Sequence, residues 1–172
     1  MCTSIEEADD LLKVAHSKGL RLAVNHNLLY AGAYQQLRTI VHSGQLGPID
    51  HSTFNYFLEL GQIRSGPFDT WMLREPRNII LEIAPHPFSA LIDLLGVPDE
   101  ISVSASGESV LPGGANVFRK WQVRTRIGHT TADINFNLGP GFPQRTINIR
   151  GLSGSAFVDF DANTCVPVSS QA

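Results

Sequence analysis

Cysteine is scarce in this chain. Its two residues, Cys2 and Cys165, form neither a disulfide framework nor a zinc-ligand spacing. A reducing cytoplasm fits that usage best. Lysine is scarcer than its partner charges, with only Lys13, Lys18 and Lys120 present. The first two read as the exposed side of a helix and the third as a polar strand face, so none is placed like a catalytic amine. No run of basic residues could track a phosphate backbone, and the net charge is −3, so nucleic acid is not an expected partner. No apolar run approaches the ~18 residues of a membrane helix. The opening residues have neither the basic start nor the apolar stretch of a signal peptide. There is no G-x-G-x-x-G fingerprint, no internal repeat and no low-complexity tract.

What remains is a chain of 172 residues, a length that suggests one domain. A chain near ~150 residues can hide roughly 68–70% of its unfolded surface, enough for a sizeable core. Ser4-Ile5-Glu6-Glu7 is a capping box that predicts a helix start, and Ile5, Ala8, Leu11, Leu12 and Ala15 follow at helical spacing. Gly19 supplies a left-handed stop. Leu22, Ala23 and Val24 read as a short strand. A second helix is expected from about 31 to 42, with Leu37, Ile40 and Val41 inward and Ser43-Gly44 closing it. From Ile49 to Leu60 the pattern has period two, with Phe54, Tyr56, Leu58 and Leu60 on one face. Residues 61–78 are irregular, and a helix is expected around 86–95, with Gly96 and Pro98 beyond it.

After that helix the chain reads as β only. Ile101, Val103 and Ala105 alternate with serines. Trp121, Val123 and Ile127 oppose Lys120, Gln122, Arg124 and Arg126. Similar alternation marks Ala132–Phe136, Ile147–Ile149 and Ala156–Phe160, and glycine-rich turns stand at 139–141 and 151–154. One polar face per strand argues for antiparallel strands covered on one side. Helices early and strands late predict an α+β fold: an open, mostly antiparallel sheet with helices packed on one face.

Three clusters could carry chemistry. Glu82 and His86 lie four apart, beside an apolar run that would tune a carboxylate–imidazole pair for proton transfer. The alternative is a helix-terminal Glu and a His that is simply hydrogen-bonded. Pro85 intervenes and could start the helix itself. His26 and Asn27 follow the short strand at 22–24, where ligands gather in open α/β sheets, or else they close a turn. Trp71 and Arg74 could anchor a planar or anionic ligand, or pin a surface loop. The remaining histidines, His16, His42, His51 and His129, show no ligand spacing, and no metal site can be argued.

The order of these segments resembles the Gfo/Idh/MocA family of NAD(P)-dependent oxidoreductases. Residues 1–8 resemble the stretch after the family's Glu-Lys-Pro motif, and Val24–Tyr30 its entry to the second domain. Ser43-Gly44-Gln45-Leu46-Gly47 resembles its S-G-x-L-G helix end. Trp71 and Arg74 match a recurring pair, and residues 82–96 resemble its Asp-x-x-x-His helix ending in Leu-Gly. Gly151 and Gly154 match a late glycine pair. The resemblance implies residues 1–30 as helix and strand from the end of a Rossmann half. It implies 31–172 as an incomplete C-terminal substrate-binding and oligomerisation domain.

The resemblance also implies roles. His86 is the catalytic histidine and Glu82 stands where the family has Asp. His26, Asn27, Tyr30, Trp71 and Arg74 line a sugar or polyol pocket. NAD or NADP serves the parent enzyme, and none is expected to bind this chain alone, because the G-x-G-x-x-G turn and the Glu-Lys-Pro lysine would lie upstream of Met1. The chain alone is then expected to be inactive, and to assemble as a homo-oligomer through its sheet face. The departures are Glu82 for Asp, Asn78-Ile79-Ile80 for a glycine pair, and Ser89 for a second Asp. They leave two other readings: a non-catalytic dimerisation module, and a metal-dependent hydrolase using His26, Glu82 and His86.

Overall fold

The computed structural model describes residues 2–169; Met1 of the opening stretch lies outside them. Seven strands form one sheet: β1 (Ile49–Phe57), β2 (Glu100–Val110), β3 (Asn116–Ile127), β4 (Thr130–Asn137), β5 (Gln144–Gly151), β6 (Gly154–Asp159) and β7 (Thr164–Ser169). Their order is β2-β3-β4-β1-β5-β6-β7. Every neighbouring pair is antiparallel except β1 with β4. The α+β, mostly antiparallel expectation therefore holds.

The core lies on one face of this sheet. Phe54, Val123, Ile134, Ile147, Ile149 and Val158 point into it and are buried. They meet Ala33, Tyr34 and Leu37 of α2 (Gly32–His42) and Ala90, Leu91 and Leu94 of α6 (Pro85–Leu95). The 3-10 turn Asn27–Tyr30 adds Leu28, seated against α6. α2 and α6 are tied by a polar clamp that no local sequence pattern predicts. Tyr34 Oη donates to Asp93 Oδ2 at 2.7 Å, Arg38 Nε donates to the same oxygen at 2.9 Å, and His42 Nε2 lies 3.2 Å from the Asp93 carbonyl.

The other face stays open and polar. Arg124 pairs with Asp133 at 2.9 Å. Asn135 Nδ2 donates to Asn55 Oδ1, and Asn55 Nδ2 to Thr146 Oγ1, at 3.1 and 3.3 Å, so one chain of side-chain bonds crosses β4, β1 and β5.

Several expectations change in detail. α1 (Ile5–Ser17) is capped by Ser4, whose Oγ accepts from Glu7 N at 3.2 Å. The reciprocal Glu7 carboxylate takes the Thr3 amide (2.7 Å), one residue upstream of the usual partner. Gly19, at φ +63°, closes the helix: Leu20 N reaches Ala15 O and Gly19 N reaches His16 O, the two bonds of a Schellman stop. No residue of α1 is buried. Leu22–Val24 forms no strand, because no neighbouring strand is there to complete a ladder, and Val24 is 71% exposed. Residues 61–78, read as irregular, hold α3 (Gly61–Ser65) and α4 (Trp71–Arg74), and α5 (Asn78–Ile83) follows. None is long enough to show a helical period. No helix of the described residues is long and apolar enough to cross a membrane.

Candidate functional site

Glu82 and His86 do not share one helix. Glu82 is the penultimate residue of α5 and His86 the second residue of α6, with Ile83, Ala84 and Pro85 between them. Pro85 has no amide hydrogen to continue the ladder, and its fixed φ suits the first turn of a new helix. Ala84 keeps helical angles, and Ala84 N still bonds Ile80 O at 2.8 Å, so the two helices follow closely on one another. Both side chains are half-buried. Among the described residues neither the Glu82 carboxylate nor the His86 ring has a hydrogen-bond partner.

The histidines separate on this point. His42 and His51 are occupied: His51 Nδ1 lies 2.8 Å from Thr131 Oγ1, and its Nε2 lies 3.2 Å from Thr53 Oγ1. His16 and His129 are exposed. His26 and His86 are half-buried with both ring nitrogens free of partners among the described residues. Their elements meet, since the 3-10 turn that His26 caps packs on α6. Leu28 of that turn and Pro87, next to His86, line one apolar crevice with Tyr56, Arg145 and Phe160.

Beneath α6 the sheet presents a cross-strand row. Trp121, Phe136, Tyr56 and Arg145 stand side by side on β3, β4, β1 and β5. The Tyr56 ring lies parallel to His86, with 3° between planes and centroids 6.2 Å apart. Phe136 meets Tyr56 at 6.1 Å, tilted by 58°. Arg145 is held by Asp161: Nε donates to Oδ1 at 3.0 Å, the backbone amide to Oδ2 at 3.1 Å, and a terminal guanidinium nitrogen also reaches Oδ1. That bond holds the Asp161 carboxyl below its ordinary range. Burial raises the Tyr56 phenol above its ordinary value, and the Arg145 charge opposes the rise. Period two on β1 puts Tyr56 inward; nothing in the sequence shows which ring stands over it.

The other candidates are less enclosed. Asn27 and Tyr30 are exposed, Tyr30 at 79%. Trp71 is half-buried, and its carbonyl accepts from Asn78 Nδ2 at 2.8 Å, joining α4 to α5 one turn before Glu82. Arg74 is exposed, with Nε 3.3 Å from the Asp69 carbonyl. His26, Glu82 and His86 do not converge as a ligand set; among the described residues no three His, Cys, Asp or Glu side chains do. A wider hollow of about 490 Å³ lies on the open face, between His51, Thr53, Arg150 and the 151–155 turn. None of the candidate residues lines it.

No family model and no curated protein matches the sequence. Solved structures do match. The WlbA dehydrogenase of Bordetella pertussis, in complex with NADH and UDP-GlcNAcA, superposes at a TM-score of 0.80 and 17% identity, over 100% of this chain and 51% of that one. The Agrobacterium radiobacter oxidoreductase in complex with NAD+, L-tartaric acid and magnesium gives 0.75 and 16%, over 99% and 52%. The UDP-N-acetylglucosamine 3-dehydrogenase GnnA of Acidithiobacillus ferrooxidans gives 0.72 and 20%, over 98% and 50%. The chain has the C-terminal-domain fold of Gfo/Idh/MocA-type oxidoreductases. It spans about half the length of these proteins.

A phosphate cradle needs a glycine-rich turn that opens a helix. The glycine turns at 113–114, 139–141 and 151–154 all join strands.

Proposed function

We propose that this chain is the substrate-binding and oligomerisation part of a Gfo/Idh/MocA oxidoreductase acting on a hydroxyl of a sugar, polyol or sugar derivative. The carrying observation is His86: a half-buried imidazole, unbonded among the described residues, seated on an aromatic platform at the end of β1. The matched fold and the sugar-nucleotide dehydrogenases that share it support the substrate class.

In this reading the chain's share of the chemistry is the proton. Oxidising an alcohol releases a hydroxyl proton, and His86 accepts it. Glu82, at the end of the preceding helix, assists as the carboxylate partner. His26 and Asn27 approach from the 3-10 turn, Tyr30 from its far end, and Trp71 and Arg74 from α4, to hold the sugar. NAD or NADP is held by a separate nucleotide-binding unit. Residues 1–30 belong with that unit and 31–172 form the substrate domain. α1 supports this division, because its apolar residues Ile5, Leu11 and Leu12 are exposed and leave a face for a neighbour to cover. The open polar sheet face is the surface for a second copy.

The test is a calorimetric titration with NADH, on this chain and on the chain joined to a nucleotide-binding unit of this family. The joined form should bind and the chain alone should not. With UDP-N-acetylglucosamine and related nucleotide sugars as substrates, H86A should lower kcat about 10²-fold or more, the usual worth of a general base. A joined form that binds no NADH, or an H86A variant with undiminished turnover, refutes the reading. The second result favours a non-catalytic dimerisation module.

A further inference from the structure

We infer that Tyr56 is a positioning residue for His86, fixing the plane in which the imidazole presents its nitrogens. This deepens the proposed function and rests on it for the role of His86. Among the described residues no hydrogen bond orients the His86 ring, although such a bond is the usual device for holding a general base. An imidazole on the first turn of a helix would otherwise turn about two side-chain torsions. The contact that defines its orientation here is the face of Tyr56, 3° from parallel with centroids 6.2 Å apart.

The platform is itself braced. Tyr56 stands between Phe136 and Arg145, its cross-strand neighbours on β4 and β5. Phe136 meets its ring at 6.1 Å, and Arg145 is tied by three bonds to Asp161 in the turn after β6. The brace therefore runs Asp161, Arg145, Tyr56, His86, from the sheet up to α6. The Tyr56 hydroxyl has no partner among the described residues. The ring, not the hydroxyl, is thus the working part, and phenylalanine should replace it.

The experiment compares Y56F, which keeps the ring, with Y56L, which removes it. In this chain, carboethoxylation of His86 by diethyl pyrocarbonate is followed by peptide mass spectrometry, with exposed His129 as internal reference. Y56F should label His86 at the wild-type rate. Y56L should label it several-fold faster, because the freed ring samples more orientations. Should Y56L fail to fold, Y56M removes the same plane with a more adaptable side chain. In the joined enzyme with a nucleotide-sugar substrate, Y56L should lower kcat with little change in KM, and Y56F should retain both. Unchanged labelling in Y56L, or a loss in Y56F equal to that in Y56L, overturns the inference. H86A separates the two readings. If H86A turns over at the wild-type rate, the proposed function fails; if H86A is crippled while Y56L labels and turns over normally, only the positioning role fails.

Discussion

Replacing Asp93 with alanine tests the clamp that joins α2 to α6. Asp93 Oδ2 accepts from the Tyr34 hydroxyl at 2.7 Å and from Arg38 Nε at 2.9 Å. Tyr34 is fully buried, and its hydroxyl has one other acceptor, the Ala90 carbonyl at 3.4 Å. A hydrogen bond to a charged group contributes about 1.5–3 kcal/mol net. The Arg38 side chain is 45% exposed, so its ion pair adds only about 0–1 kcal/mol. D93A should therefore cost about 2–3 kcal/mol, which lowers Tm by roughly 5–10 °C for a chain of this size. Y34F removes the donor and leaves a carboxylate still paired with Arg38, so it should cost about 1–2 kcal/mol. The double variant should fall no further than D93A, because phenylalanine removes the hydroxyl that D93A strands.

The clamp also carries a pH signature. Burial raises the Asp93 carboxyl, but the bonds from Tyr34 and Arg38 and the Arg38 charge outweigh it, leaving it below its ordinary value. A carboxyl held lower in the folded state contributes stability that is present above the unfolded value, about 3.9 for Asp, and lost as pH falls through the folded value. Urea melts of wild type and D93A should differ most near neutral pH and converge in acid below that range. A D93A cost under about 0.5 kcal/mol at neutral pH, or strictly additive single variants, would refute the reasoning.

Three other outcomes follow from the structure. G151A should be among the most damaging small substitutions, because a Cβ there would lie 2.2 Å from the Leu46 carbonyl oxygen, a backbone atom; overpacking costs about 1–3 kcal/mol or more, and thermal melts or loss of soluble protein will show it. S4A should remove about 1 kcal/mol of cap from α1 yet leave the urea midpoint of the sheet unchanged, since α1 buries nothing; far-UV dichroism and amide exchange confined to residues 5–17 will register the change. L12E should likewise leave this chain's stability intact, because Leu12 is 55% exposed, and should weaken association with a nucleotide-binding unit in a titration.

Legibility in the sequence followed the range of the interaction. α2 and most of the strands were readable because period 3.6 and period 2 are local properties. The caps of α1 were readable for the same reason. β7 escaped notice because Pro167 interrupts it, and proline is tolerated there because β7 is an edge strand. β2 shows the opposite limit. Ile101, Val103 and Ala105 alternate as a core face should, yet Ile101 and Val103, on an edge strand, are more than half exposed. Alternation says which residues share a face and is silent on whether anything covers it. The parallel pairing of β1 with β4 and the Tyr34–Arg38–Asp93 clamp join residues dozens of positions apart, and no spacing rule contains them.

The same distinction bears on the Glu82–His86 spacing. Four residues apart suggested one helix and a shared face, and Pro85 removed that basis by starting a second helix. What distinguishes His86 is instead a contrast with its sibling residues. His51, also half-buried, satisfies its nitrogens with two threonines on β1 and β4. Leaving a half-buried polar group unpaired has a cost, and that cost persists where the group must meet a partner from outside the chain. His86 joins that property to a flat aromatic support whose cross-strand neighbour, Arg145, is bonded to Asp161. A residue retained for packing alone needs neither the vacancy of its nitrogens nor a braced plane beneath it. In the proposed reaction, a hydroxyl group docking over Tyr56 uses both.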